Sequence, residues 1–100
     1  MSTTTTTTSA SLATVPRIGL GFRLQWEPAQ DSFVLLYPEG MVKLNGSAGE
    51  IMKRCDGQRD VAAIVADLES AFGAQGLAKD VLGFVDMAAQ QRWLVCTEAA

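Results

Sequence analysis

Midway along the chain the spacing of apolar residues changes from that of strands to that of helices, which limits the fold more than any other feature. Phe22, Leu24 and Trp26 alternate with Arg23, Gln25 and Glu27, the repeat of a strand with one wet face. Pro28 to Ser32 is turn chemistry. The unbroken apolar run Phe33–Tyr37 then predicts a central strand with both faces covered. Pro38-Glu39-Gly40 reverses the chain into a third, short strand, Met41 to Leu44. The first half is therefore an antiparallel meander.

The second half has helix punctuation. Ser47 and Glu50 stand at capping-box spacing, predicting a helix that carries Ile51, Met52 and Cys55 and ends at Asp56-Gly57. Asp60 stands where an N-cap belongs, and Val61, Ile64, Val65, Leu68 and Phe72 share one face before Gly73 closes the helix. A third helix is predicted from about Lys79-Asp80 to Gln91, followed by extended Trp93 to Cys96. The fold class is α+β, winged-helix-turn-helix-like: a three-stranded antiparallel sheet followed by a three-helix bundle. A length of 100 residues suits one domain. That domain is expected over residues 16–96, after a disordered Thr/Ser-rich tail over 1–15 and before a disordered C-terminus over 97–100.

The third helix has more apolar residues than one stripe needs. Val81, Phe84, Val85 and Ala88 form a core face, and Leu82 and Met87 fall outside it. Either a second surface meets a partner, or these are scattered surface hydrophobes.

Composition now excludes chemistry. The chain has no histidine, which removes the usual general base and the commonest transition-metal ligand. Cys55 and Cys96 are too far apart for a C-x-x-C motif and read as buried thiols. Gly19-Leu20-Gly21 lacks phosphate-loop spacing and reads as a flexible approach to the first strand. Asp67 and Glu69, two apart on a helix, diverge rather than share a proton. No catalytic residue, metal site or cofactor is expected. No apolar run approaches the ~20 residues of a membrane span and no secretory signal is visible, so a cytoplasmic location is expected.

A net charge of −3 weakens the DNA-binding reading that a winged helix invites, since the third helix carries Asp80 and Asp86 with Lys79 and Arg92 only at its ends. DNA binding and a small homodimeric interaction subunit remain as alternatives. Homodimerisation at high concentration is expected because one helical layer covers only one face of Phe33–Tyr37. The remaining resource is the sheet edge, where an extended peptide can add as a further strand. Met41, Val42, Lys43 and Leu44 would form the backbone floor of a groove, and Val81, Leu82, Phe84 and Val85 its wall. The plainer alternative is a short, solvated edge.

The run Leu35-Leu36-Tyr37-Pro38-Glu39-Gly40-Met41-Val42-Lys43-Leu44-Asn45, then Ser47-Ala48, Glu50-Ile51, Cys55-Asp56-Gly57, Val61 and Trp93-Leu94, closely resembles the pyrroloquinoline quinone biosynthesis protein D (PqqD) family. The similarity extends from about Pro16 to Val95. The resemblance implies a winged-helix-like peptide chaperone, a recognition element for ribosomally made, modified peptides. Such a protein binds the precursor peptide PqqA and presents it to the radical S-adenosylmethionine enzyme PqqE, without catalysis of its own. It also implies that the leader peptide adds to the sheet edge and lies against the third helix, giving peptide-binding roles to Met41, Val42, Lys43, Leu44, Val81, Leu82, Phe84, Val85 and Ala88. The chain departs from the family pattern at Asp60, where Thr is common, at Arg92, where Gly commonly precedes the Trp, and in its Thr tail. Arg92 is expected to lengthen the last helix or change its exit.

Overall fold

The computed structural model describes residues 10–98; most of the expected N-terminal tail and the last two residues lie outside them. Five strands and three helices follow one another: β1 (Thr14–Ile18), β2 (Arg23–Glu27), β3 (Ser32–Tyr37), β4 (Gly40–Lys43), α1 (Gly46–Lys53), α2 (Val61–Phe72), α3 (Ala78–Gln90) and β5 (Leu94–Glu98). The strands β2, β3 and β4 form the expected antiparallel meander with β3 central, and the three helices follow it.

Alternation on β3 divides its residues between two faces. Leu35 joins a core completed by Leu44, Met52, Val61, Ile64, Leu68, Val81, Val85 and Leu94. Gly49 brings α1 down on the sheet, because a Cβ there would lie 2.9 Å from the Phe33 ring. Val34 points to the other face, yet it is 1% exposed between its cross-strand partners Gln25 and Lys43. The premise that this second face lacks cover within one chain therefore does not hold at Val34.

Four boundaries differ from expectation. The tail does not extend to Val15: Thr14 is buried and opens β1, which pairs antiparallel with β5 from Thr14–Glu98 to Ile18–Leu94. By the same ladder Thr97 and Glu98 are strand residues rather than the start of a loose terminus. Pro16 can sit in β1 because its backbone faces away from β5, where its carbonyl accepts from the Gly57 amide at 3.0 Å and the ladder needs no N–H from it. The cap of α1 is Asn45, whose side chain accepts from the Ala48 amide at 2.8 Å, and not Ser47. That helix also ends at Lys53, leaving Cys55 outside it with its thiol donating to the Ile51 carbonyl at 3.2 Å.

Asp60 caps α2 by accepting from the Ala63 amide at 2.9 Å, and Gly73 ends it. Arg92 does not lengthen α3. It takes the left-handed conformation, φ 68°, while its amide reaches the Ala89 carbonyl and the Trp93 amide reaches Ala88, the hydrogen bonds of a glycine-type stop. The Gly19-Leu20-Gly21 segment is not a loose approach, since a Cβ on Gly19 would lie 2.5 Å from the Arg92 carbonyl oxygen.

Candidate peptide groove

Among the described residues β4 pairs only with β3, so one side of it carries backbone groups that no described strand pairs. Which groups these are follows from the ladder. The Leu44 amide donates to the Phe33 carbonyl at 3.0 Å, and hydrogen-bonded pairs alternate along an antiparallel ladder. Val42, opposite Leu35, therefore points its amide at β3, while Met41 and Lys43 turn their amides and carbonyls outward. Side chains alternate in step: Val42 and Leu44 face the helices, whereas Met41 and Lys43 share the opposite face with Leu36 and Val34.

Beside this edge lies an open hollow of about 450 Å³. Val42, Lys43 and Leu44 form one side, the start of α1 the floor, and Asp80, Phe84, Met87 and Trp93 the other side. Phe84 is half-buried and Met87 is 38% exposed, so both offer apolar surface to an occupant. An extended segment added to β4 would place alternate side chains against this wall.

The expected residues separate into two sets. Met41, Val42, Lys43, Leu44 and Phe84 stand at the groove or its edge. Val81, Val85 and Ala88 are at most 2% exposed and pack into the core, so they seat α3, and none of them lines this hollow. Leu82, two residues before Phe84 and thus about 200° around the helix axis from it, does not line the hollow. Sequence reasoning left out Met87, Asp80 and Trp93. Met87 had a visible signal, since it was surplus to the core stripe; its spacing of three from Phe84 puts the two on one face.

A larger hollow, about 730 Å³, lies at the other flank of α3, where Asp86, Arg92 and Glu98 give it mixed charge and β4 takes no part. Neither cysteine suits nucleophilic chemistry. Burial, then the neighbouring Cys96 and Asp56, push the Cys55 thiol up to about 12, and burial followed by Asp86 and Glu98 also raises Cys96. Among the described residues no three His, Cys, Asp or Glu side chains gather closely enough to hold a metal ion. No described helix is long and apolar enough to cross a membrane.

Comparison with known proteins agrees with this architecture. The family described as Coenzyme PQQ synthesis protein D (PqqD) matches residues 32–94, from β3 to the first residue of β5. A PqqA binding protein of Pseudomonas aeruginosa is 59% identical over 85 residues, covering 84% of this chain and 92% of its own length. One from Klebsiella pneumoniae is 54% identical over 79 residues, covering 78% and 86%. The solution structure of the PqqD truncation of Methylobacterium extorquens PqqCD, described as a functional, stand-alone recognition element for ribosomally synthesized and post-translationally modified peptides, superposes with a TM-score of 0.75. It shares 30% identity and covers 87% of this chain and 95% of that one.

Proposed function

The chain belongs to the coenzyme PQQ synthesis protein D (PqqD) family, and from that membership we propose that it is a non-catalytic peptide chaperone that binds the precursor peptide PqqA. The observation that carries this reading is the free edge of β4 next to an apolar wall. Met41 and Lys43 supply backbone donors and acceptors to the peptide, and Val42, Phe84 and Met87 sort its side chains. In such a mode the main chain gives most of the affinity and the wall gives register.

The second half of the reading is delivery. PqqA held by one edge keeps its remaining length accessible, and the chaperone presents it to the radical enzyme PqqE in the cytoplasm. The relatives that bear the name PqqA binding protein support the peptide as partner. Titrating fluorescently labelled PqqA against the purified chain tests the reading. Saturable binding in the micromolar range or tighter is expected, and its absence up to several hundred micromolar would exclude this function.

A further inference from the structure

We propose that the groove beside β4 continues into a second hollow between α1, α2 and α3, and that this hollow takes a bulky apolar side chain of the same peptide, with a basic residue next to it. The inference rests on the peptide-binding reading above. The second hollow measures about 470 Å³, within the ordinary range for ligand pockets, and Ile51, Leu68, Phe72 and Leu77 wall it. It adjoins the first, because Ser47, Ile51 and Asp80 line both. A chain leaving the β4 edge across α1 passes over Ser47 and Asp80 directly into it.

Two features identify the occupant. Phe72, the last residue of α2, is 58% exposed, an unusual degree for a ring at the mouth of an apolar hollow. The Arg54 guanidinium sits 5.9 Å from its ring centroid and so steadies the ring from one side. At the rim are two carboxylates. Glu50 is engaged by Arg54 at 2.8 Å, whereas Asp80 takes part in no ion pair among the described residues. Apolar walls with one carboxylate outside every described ion pair at the shared threshold suit an aromatic or large aliphatic side chain beside a lysine or arginine.

Amide resonances of the isotopically labelled full chain, followed during titration with synthetic PqqA, test this together with the affinity of Phe72→Ala. Phe72, Ala74 and Leu77 are expected to shift along with Val42 and Lys43 on one binding curve. Phe72→Ala is expected to weaken PqqA by about fivefold or more. If PqqA binds and shifts stay within β4 and the Phe84 side of α3, or Phe72→Ala binds within about twofold of the parent, the continuation is wrong while the peptide-binding reading stands. Shifts at Phe72 on concentrating the protein alone, or on adding PqqE without peptide, assign the hollow to another occupant and overturn it equally. If PqqA does not bind at all, both readings fall. Should Phe72→Ala not fold, the resonance shifts of the unmodified chain decide alone.

Discussion

Arg92 holds a left-handed backbone at φ 68° in the position that ends α3, where glycine pays least. Arg92→Gly is accordingly expected to stabilise the chain by about 1 kcal/mol, read as a higher urea midpoint at unchanged slope; a lower midpoint would show that the arginine side chain contributes more than its backbone costs. A hydrogen bond from Arg54, aided by the charges of Arg54 and Arg59, holds the Asp67 carboxyl below its ordinary value. A carboxylate with a depressed folded-state pKa adds stability above its unfolded value near ~3.9, and that stability is lost as pH falls through the folded value. Thermal midpoints of the parent should therefore drop below about pH 4, and Asp67→Asn should flatten part of that drop. Equal acid sensitivity in the two proteins would remove Asp67 from the account. Residue identity at Arg92 was legible as a departure from pattern, but its consequence was not. Whether a non-glycine residue extends a helix or takes the left-handed stop depends on where Trp93 and Leu94 must go, and Leu94 is pulled into the core and paired with Ile18.

At the scale of elements, the sheet order, the Asp60 cap and the Gly73 stop were readable because alternation, turn residues and caps are local signals. The start of α1 shows where locality fails. Asn45 and Ser47 are both good caps, and the nearby Glu50 favours Ser47 on sequence. Leu44 remains bonded to Phe33, so Asn45 is the first residue off the sheet and turns directly into the helix. Asn45→Ala should cost about 1 kcal/mol and Ser47→Ala a few tenths, measured by chemical denaturation. The reverse order would restore the capping box. The same dependence on neighbours explains the groove. A helical wheel identifies Val81, Val85 and Ala88 as one stripe, and only packing reveals that this stripe is spent on the core, leaving Phe84 and Met87 to line the hollow beside β4.

Over the whole molecule, the ladder of β1 with β5 ties the two ends of the described chain together, and it was not legible in the sequence. Thr14 to Ile18 contains a proline and follows a threonine tract, so it has neither clear alternation nor a turn before it. Its partner lies some eighty residues away, and such a pairing leaves no local trace. The meander, by contrast, has its strands joined by short turns, and its free edge could be foreseen along with them. The central claim is that this edge receives a strand of PqqA, and amide hydrogen exchange with and without saturating peptide tests it most directly. Met41 and Lys43, whose amides point outward, should slow by about tenfold or more, while Val42 and Leu44, already turned to β3, change little. Bound peptide with unchanged exchange at Met41 and Lys43, or with slowing confined to β1 and β5, would contradict the account.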